Sequence, residues 1–208
     1  MLSAAQTLAF LATAVVLTAT PGPDNLMVLG MGMSRGRRAG VAFGLGCALG
    51  CLSHTLLAVV GISALVAASP LSFTLLKLAG GAYLVWLGWQ AWRHAGAVRV
   101  GGASGDATPL GQLFARGLVA NAINPKVVLF FLAFLPQFVV ASQGEVEWQL
   151  GLLGLLFTAQ AVVLFALLGW FSGSVGAWLN RRPGVGRWLD RLAGTMFIGL
   201  GARMIVAR

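Results

Sequence analysis

Long apolar runs divide the chain into six segments, each long enough to be a membrane-spanning helix. The runs cover residues 4–33, 39–68, 71–92, 113–140, 148–172 and 188–206. A helix needs about 20 mostly apolar residues to cross the hydrocarbon core, whereas a membrane β-strand is shorter and alternates in polarity. These runs are long and continuous. The pattern therefore predicts an all-α membrane protein with six transmembrane helices.

Proline-containing polar motifs interrupt the first and fourth runs. The interrupting residues are Pro21, Gly22, Pro23, Asp24 and Asn25 in the first run, and Asn121, Asn124, Pro125 and Lys126 in the fourth. Proline removes a backbone donor and clashes with the preceding turn, so each motif predicts a broken helix. In the second motif, Asn124 is expected to cap a new helix that begins at Pro125.

The six predicted helices fall into two halves, residues 1–92 and 113–208, joined by a cytoplasmic linker at residues 93–112. The linker contains Gly101, Gly102 and Gly105. Because three is an odd number, a repeat of the first half must be inserted upside down. Inverted repeats are common among secondary transporters, which bind substrate at the repeat interface near broken helices. The sequence thus predicts two inverted three-helix repeats, with the first helix of each broken.

Composition and charge support a membrane protein and predict its orientation. Apolar residues make up 58% of the chain and charged residues 9%, too few charges to cover a soluble domain. The net charge of +9 does not indicate nucleic acid, because the basic residues lie between apolar runs rather than on one folded face.

Ten arginines lie in the loops after the first, third and fifth runs or at the adjoining ends of the runs, and we assign those loops to the cytoplasm. They are Arg35, Arg37, Arg38, Arg93, Arg99, Arg116, Arg181, Arg182, Arg187 and Arg191. The loop after the fourth run carries Glu145 and Glu147 instead. Both termini are therefore predicted to lie outside the cytoplasm.

Asp24 is the one carboxylate well inside an apolar run, where a charged group is costly to keep. Such a group can exchange a proton with the two sides of the membrane in turn; alternatively, Asp24 only satisfies free amides at the break. Asn25 and the following amides begin a new helix, whose N-terminus attracts an anion such as a carboxylate. Lys126 is predicted to pair with Asp24 or with a substrate carboxylate, or else to reach for the interface.

Cys47, Cys51 and His54 lie on one face of the second predicted helix. Thiolate and imidazole are ligands for soft metals, so a cation or cadmium-like exporter is the alternative interpretation. Three ligands on one straight helix do not easily converge on one ion, and we predict no metal site. His54 alone would relay protons or donate a hydrogen bond between helices.

Four glycines in the same helix predict close helix packing, within the chain or across a homodimer. They are Gly40, Gly44, Gly46 and Gly50. The chain carries no Walker-type phosphate-binding loop, so transport driven by ATP hydrolysis on this chain is not expected.

Ordered motifs along the chain resemble those of the LysE/RhtB family of amino-acid exporters. They are Pro21-Gly22-Pro23, Gly36-Arg37-Arg38-Ala39-Gly40, the runs at 77–84 and 86–88, Asn124-Pro125-Lys126, and the run at 130–138. The resemblance implies a bacterial inner-membrane protein that exports amino acids or close derivatives by proton antiport, with no cofactor. It does not identify which amino acid is carried.

Overall fold

The computed structural model describes the chain except for Met1, Pro21, Ser69, residues 94–107, Ala141, Gln143 and residues 207–208. Every regular element in the described part is helical, which confirms the predicted all-α class. The α-helices are α1 (Ala4–Ala19), α2 (Pro23–Arg35), α3 (Arg37–Ala68), α4 (Pro70–Arg93), α5 (Leu110–Ala122), α6 (Pro125–Leu129), α7 (Val146–Trp170), α8 (Ser172–Arg181) and α9 (Pro183–Val206). After α6 the chain continues as a π-helix (Phe130–Phe134) and a 3-10 helix (Leu135–Phe138).

Two helices of the described chain are long and apolar enough to cross a membrane on their own: α3, over Arg37–Gly61, and α7. Two bent pairs qualify if each is taken as one span. Helices α1 and α2 meet at 54°, and α5 meets the Pro125–Phe138 segment at 50°. The breaks expected at the proline motifs are therefore present. The other two predicted spans coincide with α4 and α9, each 24 residues long, and the six-span arrangement stays a prediction.

The chain after the fifth predicted span differs from the sequence-based expectation of a loop. Helix α8 follows α7 after a bend at Phe171, and α9 follows α8 after Arg182. Helix α9 thus begins at Pro183, five positions before the predicted start at Trp188. Proline is accepted in a first helical turn because its missing N–H has no partner there. This segment is rich in glycine and arginine, a composition that favours a loop between membrane helices, so the sequence did not predict its helical structure.

Helix α3 is the centre of the bundle and packs along α7 on one side and α5 on the other, while α4 packs along α9. Glycines make these approaches possible. A Cβ at Gly46 would lie 2.0 Å from the Phe114 carbonyl of α5, and one at Gly44 would lie 2.9 Å from the Phe165 carbonyl of α7. The predicted glycine faces therefore pack helices within one chain, and they give no support to a homodimer.

The predicted linker at 93–112 is described only at its ends, because residues 94–107, with Arg99 and the three glycines, lie outside the described residues. Helix α5 already begins at Leu110. The division into repeats at 1–92 and 113–208 remains a prediction.

Candidate functional site

The two helix breaks lie against each other in the interior of the bundle. Asn121, in the last turn of α5, donates from Nδ2 to Oδ2 of Asp24, in the first turn of α2, at 2.7 Å. Lys126 of α6 donates from Nζ to the Leu17 carbonyl at 3.1 Å and to the Thr20 carbonyl at 3.2 Å. Residues about a hundred positions apart thus form one polar cluster between the two halves of the chain.

The second break caps itself. The side chain of Asn124 accepts a hydrogen bond from the Lys126 amide at 3.0 Å, and Pro125 occupies the first helical turn, as predicted. Asn124 is only 4% exposed, and its Nδ2 is buried with no acceptor among the described residues. One donor of the second break is therefore left without a protein partner.

The first break has no comparable cap. Gly22 precedes α2 and provides no side chain, and Pro23 provides no N–H. Asn25 reaches back and donates from Nδ2 to the Thr18 carbonyl at 2.8 Å. Pro21, which also belongs to the predicted motif, lies outside the described residues. The last carbonyls of α1 are satisfied by side chains from beyond that helix.

Lys126 donates to backbone carbonyls that were not among its predicted partners. In place of the expected ion pair with Asp24 or reach for the interface, the ammonium donates to the carbonyls that end α1, and its pairing with a substrate carboxylate stays a prediction. The physical reason is that the last carbonyls of a helix have no partner within it and form its negative end. A Cβ at Gly22 would lie 3.1 Å from Nζ, so the small residue leaves room for the ammonium.

Cys51 and His54 also contact Asn121. The Cys51 thiol donates to Oδ1 of Asn121 at 3.6 Å, and His54 Nε2 lies 3.0 Å from the Asn121 carbonyl. His54 is 1% exposed, and its Nδ1 is buried without a partner among the described residues. A Cβ at Gly50 would lie 2.8 Å from Oδ1 of Asn121, so a glycine is needed for Asn121 to approach α3 this closely.

The soft-metal alternative receives no support from this arrangement. Within the described ranges, no three residues among His, Cys, Asp and Glu are grouped so that they could hold a metal ion. Cys47 and Cys51 are free and buried, and Cys51 makes its hydrogen bonds within the protein, to Asn121 and to the Cys47 carbonyl. These cysteines contribute to helix packing and to the position of Asn121.

A small cavity of about 20 Å³, which is room for about one water molecule, adjoins the polar cluster. One part of its lining is polar and contains the predicted residues Gly22, Asp24, Asn25, Asn121, Asn124 and Lys126, with Thr18 and Cys51. The rest is apolar and consists of Leu17, Val127, Phe157 and Phe165. Polar groups that converge on one side of an apolar pocket are typical of sites for small molecules.

Sequence reasoning did not identify the apolar lining or Thr18. Phe157 and Phe165 belong to a long, mostly apolar run, whose pattern does not indicate which of its apolar members face a cavity. The one available signal was Gln160 in the same run, because its Nε2 donates to Thr18 Oγ1 at 2.9 Å.

Comparison with known proteins identifies the family. The model of the LysE type translocator family matches residues 15–208, which is nearly the whole chain. This chain belongs to the LysE type translocator family. The protein is accordingly a membrane transporter and not an enzyme.

Several curated relatives are similar to this translocator over nearly their full length. An uncharacterized membrane protein of Vibrio cholerae is 34% identical over 97% of both chains. A homoserine/homoserine lactone efflux protein of Salmonella typhimurium is 32% identical over 96% of both chains. A threonine efflux protein of Escherichia coli is 29% identical over 93% of this chain and 94% of the relative. No solved structure matches the translocator.

A column of aromatic rings leads away from the cavity of the translocator. Its rings are those of Phe157, Phe131, Phe130, Phe134, Phe138 and Phe10, with successive centroids 5.0 to 5.9 Å apart. Phe130, Phe131 and Phe134 belong to the π-helix and are at most 3% exposed. The column fills the interior between the cavity and the end of the bundle where α1 and α7 begin.

Proposed function

We propose that this protein exports a small zwitterionic amino acid from the cytoplasm across the bacterial inner membrane, in exchange for protons. The observation that carries the proposal is the Asn121–Asp24 hydrogen bond, which places a carboxylate of one helix break against the other break, beside a cavity. The relatives named for efflux of homoserine, its lactone and threonine support an amino acid as substrate.

The proposed architecture has six membrane crossings arranged as two inverted repeats, which is common among secondary transporters. The order of a broken helix, a long apolar helix and a helix of 24 residues occurs in each half: α1/α2, α3 and α4, then α5/α6, α7 and α9. The packing of α3 on α7 and of α4 on α9 supports a pseudo-twofold relation between the halves. The site then lies at the repeat interface, where such transporters bind substrate. Both termini lie outside the cytoplasm in this proposal, as the arginine distribution predicts.

Competition for Asp24 provides the coupling. The amino group of a bound amino acid is a cation that the Asp24 carboxylate attracts, and a proton on that carboxylate removes the attraction. Proton and substrate therefore exclude each other at the same group, which is the condition for exchange. Asn121 Nδ2 keeps the carboxylate directed toward the cavity.

Other groups of the site, all hydrogen-bond donors, bind the carboxylate of the substrate. Lys126 donates to the Leu17 and Thr20 carbonyls and lies 5.2 Å from the centroid of the Phe197 ring. Its ammonium has three hydrogens, and the third would turn from this ring to the substrate carboxylate. The first-turn amides of α2 have no acceptor within their helix and face an anion favourably. The donor Nδ2 of Asn124 is a third candidate for this carboxylate or for an oxygen of the substrate side chain.

Release to the outside requires the aromatic column to open. The π-helix that carries Phe130, Phe131 and Phe134 is the candidate moving part, because π-helices are rare and frequently occur at functional sites. In the proposed orientation the column closes the side away from the cytoplasm, so the described conformation is closed outward.

The test is release of labelled amino acids from proteoliposomes under an imposed pH gradient, with wild type and Asp24→Asn compared. We expect gradient-driven release from wild type of one or a few uncharged amino acids, and its loss in Asp24→Asn. Glu147→Gln is the matched control, because Glu147 is an exposed carboxylate outside the cavity. Size-exclusion profiles and thermal unfolding in detergent establish that both variants fold.

Full gradient-driven release by Asp24→Asn would refute the coupling role of Asp24. Release of no amino acid by correctly folded wild type would refute the proposed function itself.

A further inference from the structure

A cleft lined by arginines lies far from the cavity, at the other end of α2. Its lining residues are Arg35, Gly36, Arg37, Arg38 and Trp170, and they border a shallow space of about 510 Å³ that is open to solvent. Arg35 lies eleven positions after Asp24 on α2, a distance of about 16 Å along the axis. None of the lining residues is acidic. This arginine cleft is therefore a site of concentrated positive charge separate from the transport site.

Two of the guanidinium groups are held in place around the cleft. Arg37 stacks on the ring of Trp170, with its Cζ 4.9 Å from the ring centroid. Arg35 donates from Nη1 to the hydroxyl of Thr108, while its Nε is buried and has no acceptor among the described residues. A buried guanidinium nitrogen without an acceptor is unfavourable, and rotation of the Arg35 side chain toward an anion in the cleft would supply one.

The backbone adds to the positive potential. Gly36 has φ of 87°, a left-handed conformation that favours glycine, and it separates α2 from the 32-residue helix α3. The Gly36 carbonyl accepts from the amides of Ala39 and Gly40, so α3 directs its positive N-terminal end toward the cleft. A Cβ at Gly36 would meet nothing within 4 Å, so the space beside this turn is open.

Trp170 places the cleft at the edge of the membrane. It is the last residue of α7, the more apolar of the two clear spans, and it is 51% exposed. Tryptophan in such a position is typical of the level of the lipid headgroups. At this level a lipid headgroup reaches the cleft directly, so we expect the ligand to be a lipid of the bilayer rather than a dissolved anion.

We propose that the arginine cleft binds the phosphate of an anionic phospholipid headgroup. The forked donors of arginine match phosphate oxygens, and basic pockets at the cytoplasmic side of membrane helices accept such headgroups. The distribution of positive charge across the membrane accounts for arginines in this loop, but it requires neither the stacked Arg37 nor the unpaired Nε of Arg35. The bound lipid would tie α2, α3 and α7 together at this end of the bundle.

The test uses the full-length protein, delipidated in a neutral detergent and titrated with phosphatidylglycerol or with phosphatidylcholine. Thermal unfolding and native mass spectrometry report stabilisation and lipid retained. The variant Arg35→Gln/Arg37→Gln/Arg38→Gln is compared with Arg181→Gln/Arg182→Gln, which removes arginines at the end of α8 that do not line the cleft. The measured quantity is the shift in unfolding temperature that lipid causes in each variant, relative to the same variant without lipid. A general loss of stability in a variant therefore does not affect the comparison.

We expect phosphatidylglycerol, and not phosphatidylcholine, to stabilise wild type and the Arg181/Arg182 variant, with affinity reduced about tenfold or more in the triple variant. If the triple variant does not fold, the single variant Arg38→Gln replaces it in the test. This variant changes only an exposed residue, and we expect it to lose part of the affinity for phosphatidylglycerol. Equal affinity of the cleft variants and wild type would overturn the proposal. So would an equal shift from inorganic phosphate or glycerol 3-phosphate, which would identify a site for soluble anions.

Discussion

The two helix breaks satisfy their free backbone groups in different ways. The second break caps its own backbone, because the Asn124 side chain accepts from the Lys126 amide two residues away. The first break lacks a side-chain cap at Gly22, and the carbonyls of Leu17 and Thr20 receive their hydrogen bonds from Lys126 of the other half. One break is thus locally stable, while the other depends on contacts between the halves.

This difference indicates where coupling can occur. If the halves separate, the second break keeps its cap, but the end of α1 loses two donors and Asp24 loses Asn121. Each loss changes the charge and hydration of the first break, whereas the second break loses side-chain partners of Asn121 and Lys126 but keeps its backbone cap. A group whose environment depends on the relative position of two halves is suited to bind a proton in one state and release it in another.

The substitution Lys126→Met should have the largest effect, because it leaves both breaks in place and removes the ammonium that donates from the second break to the end of α1. We expect a loss of about 1–3 kcal/mol in stability from the two carbonyls left without donors, together with loss of export. Thermal unfolding in detergent and the proteoliposome assay measure the two effects. Lys126→Arg keeps the cation and should retain most of the stability. Wild-type stability in Lys126→Met would show that the first break does not depend on this residue.

Exchange of the two partners, Asp24→Asn with Asn121→Asp, sharpens the comparison. The hydrogen bond can still form, but the carboxylate moves from the positive first turn of α2 to the negative last turn of α5, which disfavours it by about 0.3–1 kcal/mol or more. We expect gradient-driven export to stay about tenfold or more below wild type. Recovery to the wild-type rate would mean that export requires an Asp–Asn pair between the two breaks, and that either break can carry the carboxylate.

Gly50→Ala tests whether Asn121 of the second break must lie close to α3 in order to contact Asp24 of the first break. The added Cβ would lie 2.8 Å from Cβ and Oδ1 of Asn121, so Asn121 has to move. We expect destabilisation by about 1–3 kcal/mol and a reduction of export by a small factor. Gly61→Ala on the same helix is the control, because its Cβ would meet nothing within 4 Å. Equal thermal unfolding of the two variants would contradict the expected steric effect.

Asn124→Ala should have the smallest effect of the four, since it removes a cap that only the second break uses. Loss of an N-cap costs about 1 kcal/mol, and export should persist at a reduced rate. Asn124→Asp, which restores the acceptor, should recover the unfolding temperature. If Asn124→Ala abolishes export while unfolding like wild type, Asn124 contacts the substrate rather than only capping its helix.

Local features of the site were predictable from the sequence and distant ones were not. The proline breaks and the Asn124 cap depend on atoms within a few residues, so residue type and order predict them. The acceptors of Lys126 lie 109 and 106 positions away, and its expected ion pair with Asp24 was therefore a guess from charge alone. Helix α8 was missed for a related reason, because its glycines and arginines suggest a loop unless packing against α2 is known.

The sequence by itself determined that this chain is a helical membrane protein, that two of its helices break at proline motifs, and that its motifs are those of a LysE type translocator. These follow from the cost of exposing polar groups in lipid and from the stereochemistry of proline, both of which act on short stretches of chain. Only the tertiary structure decided which polar groups meet. Asn121 reaches Asp24, and Lys126 reaches the end of α1, because α2 and α5 both pack against α3 and so bring the two breaks into contact, and no local pattern contains that information.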